Sequence, residues 1–136
     1  MNFRRHLFSS VIPAFIGSSA PAAAQADLVA AGEKAFVKCG TCHLIGPTKR
    51  VRSTPHLNDL FGRKSGSLPK IKYSKALVTY GHDKLWNEAT LTAFLRDPQG
   101  IVKGTKMALL GLTKDEEVKA ILAYIAMFDK DGMAPK

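Results

Sequence analysis

Ala35-Phe36-Val37-Lys38-Cys39-Gly40-Thr41-Cys42-His43 is the stretch whose reading decides the fold. Asp27 is an acceptable helix N-cap, and from there to Cys39 the residues Leu28, Ala31, Ala35, Phe36 and Cys39 fall near one face at helical spacing. A helix therefore delivers the thiols. Cysteines three apart at a helix end occupy neighbouring positions on one face, where their sulfurs can form thioethers with the two vinyl groups on one porphyrin edge. The next residue, His43, then turns its imidazole under the iron. Cys-x-x-Cys-His is the pattern of covalent haem attachment, so one haem c bound through Cys39 and Cys42 is the expected cofactor.

Competing uses of the same residues fit less well. A dithiol oxidoreductase opens a helix with its Cys-x-x-Cys after a buried strand, whereas here the motif closes a helix. A zinc site needs a fourth ligand beyond Cys39, Cys42 and His43. Only His56 is near, with no second cysteine pair. A disulfide across so short a loop would stabilise only a small part of a fold.

The beginning of the chain predicts where it works. Arg4 and Arg5 precede an apolar run from Leu7 to Gly17, and small residues then lead to Ala24-Gln25-Ala26. That is the pattern of a secretory signal peptide over residues 1–26, cleaved after Ala26, with a single domain over 27–136 and a periplasmic location. The apolar run is shorter than the roughly 20 residues that span a bilayer. Removing Arg4 and Arg5 takes the formal charge of the 136-residue chain from +9 to +7, still strongly basic. An exported chain meets little nucleic acid, and its aromatics do not alternate with basic residues, so nucleic acid is not the expected partner. Acidic protein patches are, with transient contact to anionic membrane surfaces, and the chain is expected to act as a monomer.

Further helices are expected at the other end and between. Thr113 and Glu116 suggest a capping box ahead of Val118, Ile121, Leu122 and Ile125. Asn87 can cap a helix through Arg96, because Pro98 makes Asp97 a poor helical residue. A shorter helix runs from Ser74 to about Thr79. Segments 43–73, 80–86 and 98–112 read as long loops, which a compact domain tolerates when something such as a flat cofactor holds them. A frayed tail follows Phe128. No convincing strand is predicted, so the fold class is all-α.

Haem iron has a second axial position, filled by a protein ligand or left open. Met107, in Gly104-Thr105-Lys106-Met107 between two helices, is one candidate, although a lone methionine serves equally well as core filler. Residues 32 to 125 resemble class I cytochrome c, in particular the mitochondrial and bacterial c2 type. Gly32 and Phe36 match that family's contact with its terminal helix, whose partners would be Ile121 and Tyr124. Pro55 matches the proline whose carbonyl accepts the imidazole N–H. The run from Leu57 to Arg63 resembles the segment ending in a buried arginine near a haem propionate. Tyr73 and Trp86 match propionate hydrogen-bond donors, and Gly104 to Met107 matches the methionine loop.

The resemblance implies a cytochrome c fold wrapped around one haem, His43 and Met107 as iron ligands, and Thr105 among the cofactor-binding residues. It further implies a one-electron carrier between redox enzymes and no enzymatic activity, with Lys38, Lys106 and Lys114 around the docking edge. Three departures stand out: Phe94 where a tyrosine often bonds the methionine sulfur, Lys103 where a proline is usual, and Leu109 where a phenylalanine often covers the haem edge. A loosened methionine loop is expected from Lys103. The alternative class is a haem enzyme or gas sensor with a labile Met107. His56 and His82 read as solvated loop residues.

Overall fold

A computed structural model describes residues 22–48, 50 and 52–134. The segment that carries Arg4, Arg5 and the apolar run lies outside the described residues. Among the described residues six helices follow in order: α1 Ala22–Ala35, α2 Val37–Gly40, α3 Lys75–Tyr80, α4 Glu88–Arg96, α5 Pro98–Ile101 and α6 Asp115–Ile125. Among the described residues there is no strand, only an isolated antiparallel bridge between Lys64 and Leu85.

The first and last helices among the described residues meet. α1 crosses α6 at Gly32, where a Cβ would stand 2.0 Å from the Ala120 carbonyl oxygen and 2.7 Å from the Tyr124 Cβ. Only glycine permits so close a crossing. One turn later the Phe36 ring packs on Tyr124 with centroids 5.3 Å apart and planes tilted by 58°, a geometry worth about 0.5–1.5 kcal/mol beyond the area it buries. Below it lie Val118, Ile121, Leu122 and Ile125 of α6, with Leu91, Phe94 and Leu95 of α4. Ile121 is fully buried, so each end of the chain contributes to one core.

α4 begins as its sequence predicts. The Asn87 side chain accepts from Thr90 N at 2.9 Å, and Thr90 Oγ1 accepts from Asn87 N at 2.9 Å, a reciprocal cap worth about 1 kcal/mol. Asp97 leaves the helix at φ −150°, and its side chain accepts from Gly100 N to start α5, with Pro98 in the first turn. This short helix occupies part of what reads in sequence as loop. Ser74 caps α3 by accepting from Leu77 N at 3.1 Å.

Four sequence expectations need correction. α1 is already helical at Ala22, the first described residue, so Asp27 is interior and not its cap; the alanines of 22–26 are strong helix formers that carry the helix past it. Ala31 is exposed, and the buried face of α1 centres on Gly32. The Thr113–Glu116 box does not form: Lys114 is the N-cap and makes no side-chain cap bond. Asp115, Glu116 and Glu117 in the first turn favour that end instead, each by about 0.3–1 kcal/mol through the helix dipole. Finally, the segment after Phe128 is not frayed. It turns over residues 129–133 and buries Gly132.

Candidate haem site

α2 ends at Gly40, and the chain keeps turning: Cys42 N donates to Cys39 O at 3.0 Å and His43 N to the same oxygen at 2.8 Å. The local winding thus puts Cys39, Cys42 and His43 one turn apart. Both cysteines are free thiols, Cys39 buried and Cys42 exposed. Burial, with Glu117 nearby, pushes the Cys39 thiol above its ordinary pKa, so it stands protonated at neutral pH.

His43 Nδ1 is 2.7 Å from Pro55 O. Since a carbonyl can only accept, that nitrogen carries the proton, and Nε2 is left as the ligating atom. Burial lowers the pKa of the ring, opposed by the Pro55 bond; the imidazole is therefore neutral, as a metal ligand must be. Around this bond Arg52 Nη1 donates to Gly40 O at 3.2 Å and Thr41 O at 2.8 Å, and Thr54 Oγ1 donates to Cys42 O. Arg52 and Thr54 carry no signal in the sequence, because their contacts leave no periodic trace.

Arg63 is half-buried and donates to two carbonyls, Asn58 O at 3.0 Å and His56 O at 2.9 Å. Among the described residues it has no carboxylate partner within ion-pair distance. Burial lowers its pKa, and Tyr73 lies close enough to act on it. Tyr73 is itself half-buried, which raises its pKa and keeps the phenol a donor. Trp86 is joined to the same place through the main chain, with Trp86 N donating to Arg63 O at 2.9 Å and Gly62 N to Trp86 O at 2.7 Å. Its ring is buried between Tyr80 and Phe94, centroids 5.9 and 5.2 Å away. Arg63, Tyr73 and Trp86 are thus brought together. His56 joins them: its Nδ1 is buried with no partner among the described residues, and burial lowers its pKa with Arg63 adding to the effect. It is not the solvated histidine its sequence context suggests, whereas His82 is exposed.

Met107 lies opposite in sequence, partly buried against the core together with Leu109. Lys103 does not leave its loop free. Gln99 holds it at two points, accepting from Gly104 N at 3.2 Å and donating to Thr105 O at 2.9 Å. Thr105 is buried, and its hydroxyl accepts from Met107 N at 3.3 Å. Lys106 Nζ reaches Lys72 O at 3.2 Å. Lys38 does not stand free at the edge either: it pairs with Glu117 at 2.5 Å.

The donor set fits haem c: two thiols at a helix end, an imidazole with Nε2 available, a thioether, a guanidinium beside a phenol for the carboxylates, and the orphaned His56 nitrogen. No group of three or more His, Cys, Asp or Glu among the described residues could hold a bare metal ion.

No protein-family model matches the chain. Individual relatives do. The chain is 44% identical over 108 residues to cytochrome c2 of Afifella marina, covering 79% of this chain and 87% of that one. It is 41% identical over 103 residues to cytochrome c-550 of Bradyrhizobium diazoefficiens, covering 76% and 74%. Among solved structures, cytochrome c2 from Rhodospirillum centenum superposes with a TM-score of 0.68 at 30% identity, covering 74% of this chain and 97% of that one. Cytochrome cH from Methylobacterium extorquens gives 0.65 at 35% identity, covering 72% and 96%. With this helical fold and these identities, the chain belongs to the class I c-type cytochromes. These are electron-transport proteins with one covalent haem c, for which Cys39 and Cys42 are the thiols here.

Proposed function

We propose that this protein is a periplasmic one-electron carrier in which His43 and Met107 would hold the haem iron. The observation that carries the reading is the 2.7 Å contact of His43 Nδ1 with Pro55 O directly after the paired thiols, which leaves the other ring nitrogen for iron. Bound haem supplies a one-electron iron couple. Cys39 and Cys42 tether it. Pro55 fixes the imidazole tautomer and makes the ring a better donor. The Gln99-braced loop presents the Met107 thioether, a ligand pairing that raises the potential, while Arg63, Tyr73 and Trp86 receive the propionates. Held by His43 and Met107 together, the group would exchange electrons without binding a substrate, which is the reading of this chain as a carrier and not an enzyme.

In this reading residues 1–26 are removed on export and the domain over 27–136 acts as a monomer. No helix among the described residues is long and apolar enough to cross a membrane. Docking is onto acidic patches of an oxidase, reductase or dehydrogenase, through exposed lysines such as Lys106 and Lys114, and it weakens with salt. Anionic membrane surfaces are met transiently.

The absorption spectrum of the oxidised holoprotein tests the ligation. A near-infrared iron–sulfur band, lost in Met107→Ala, is expected, with slow carbon monoxide binding to the reduced form at neutral pH. Rapid binding to the unaltered protein would instead favour a sensor or enzyme with an open position. A mass measurement of protein from its native compartment reads both the cleavage site and the haem.

A further inference from the structure

The loop between His43 and Asn58 is closed at its neck by a ladder, of which the His43–Pro55 contact is one rung. Next to it Leu57 N donates to Leu44 O at 2.9 Å. The last rung is double: Asn58 Oδ1 accepts from Gly46 N at 2.8 Å, and Asn58 Nδ2 donates to Gly46 O at 3.0 Å. Asn58 is 7% exposed. Its own carbonyl accepts from Arg63 Nη1 at 3.0 Å, so this one residue joins the imidazole loop to the guanidinium.

The end of the chain presses on the same residue. Asp59 N donates to Phe128 O at 2.9 Å. Asp129 Oδ1 accepts from Asp131 N and Met133 N, each at 2.9 Å, and shapes the turn. Within it Gly132 adopts φ +75°, and a Cβ there would stand 2.2 Å from Gly46 O and 2.6 Å from Asn58 Nδ2. The backbone of the tail thus lies directly on the last rung, and a glycine is what lets it do so.

We propose that Asn58 is a positioning residue for the haem site. With the 129–133 turn seated on it, it keeps the neck closed, the Pro55 carbonyl on the His43 ring and the Arg63 side chain aimed. Without its amide, the buried Gly46 N–H and carbonyl lose their partners, a cost that opening the neck to water relieves. Water then competes for Pro55 O as well. The inference rests on His43 being the imidazole ligand.

The test is the exchange rate of the His43 Nδ1–H with solvent, read by NMR on reduced holoprotein. Asn58→Leu keeps the size of the side chain and removes both bonds; exchange should quicken about tenfold, the factor that one net hydrogen bond is worth. Asn58→Asp, which keeps the acceptor, should fall between. Gly132→Ala, and a chain ending at Phe128, approach from the tail and should move the same proton in the same direction, which keeps the test open should Asn58→Leu yield no holoprotein. Thr90→Ala, which removes the Thr90 half of the reciprocal α4 cap, should leave the rate unchanged. Equal rates in the unaltered protein and the Asn58 and tail variants would overturn the proposal. Should the His43 ring protons of the unaltered protein lack the displacement that ligation to a haem iron produces, the ligand reading fails and takes this inference with it. Displaced ring signals with unmoved exchange rates sink this inference alone.

Discussion

The two loops that present His43 and Met107 are held in different ways. The histidine loop is bound across its neck by main-chain and side-chain bonds, by the double bond of Asn58 to Gly46, and by the tail turn lying on top. The methionine loop is held mainly by side chains: Gln99 at two points, the Thr105 hydroxyl and the Lys106 amine on Lys72 O, with Thr105 N on Val102 O at 2.9 Å in its main chain, while Leu110 beside it is wholly exposed. A neck closed by a ladder and covered by the tail gives way as a unit, whereas separate side-chain contacts give way one by one. The sulfur side is therefore the yielding one.

The largest effect should separate the two proposed ligands. His43→Ala should lose most of its covalently bound haem and its cooperative melting, because it removes the imidazole beside the thiols together with the Pro55 contact. Met107→Ala should keep haem and fold but bind carbon monoxide rapidly when reduced. Haem content per chain and a melting curve decide it, and equal losses in both variants would erase the contrast. Gln99→Ala comes next. It removes two hydrogen bonds, each worth about 0.5–1.5 kcal/mol net, and should weaken the iron–sulfur band at mildly alkaline pH with little change in melting temperature. A large fall in melting temperature would mean that the methionine loop is part of the global fold.

Smaller still is the effect at Lys106, whose amine lies near the loop on Lys72 O. At high pH this side chain should displace Met107, so Lys106→Ala should keep the sulfur band to higher pH than the unaltered protein. Loss of the band at the same pH in both would refute this. The smallest effect concerns His56. Burial holds its folded pKa below the ordinary 6.5, with Arg63 contributing, so the unfolded chain binds the proton more readily. Stability is then complete above about pH 6.5 and falls as pH drops from there toward the folded pKa. His56→Asn should flatten that slope in denaturant titrations across pH 5 to 7; an unchanged slope would assign it to other groups.

Much of this is legible in the residues themselves. Cys39, Cys42 and His43 announce their chemistry by spacing, Asn87 and Pro98 bracket α4, and the periodicity of Val118, Ile121, Leu122 and Ile125 specifies α6. All of these are local signals. What escaped is non-local. Gln99 looks like any exposed polar residue until its two partners in the next loop are known. Asn58 lies within a run of otherwise ordinary residues, and the short stretch Asp129 to Met133 has too few apolar residues to read as structure. Lys38 resembled a free docking charge because Glu117, its partner, lies far along the chain. The Thr113–Glu116 pair misled for the opposite reason: a correct local pattern lost to acids that serve the helix end without it.

The crossing at Gly32 has a consequence for how the protein is made. Its partner surface, Ala120 and Tyr124, lies on α6, far along the chain from the paired thiols, and Glu117 on the same helix lies close to Cys39. Cys39 is shut in by the finished fold while Cys42 stays exposed, so a reagent that must meet both sulfurs meets them on equal terms only before α1 and α6 have packed.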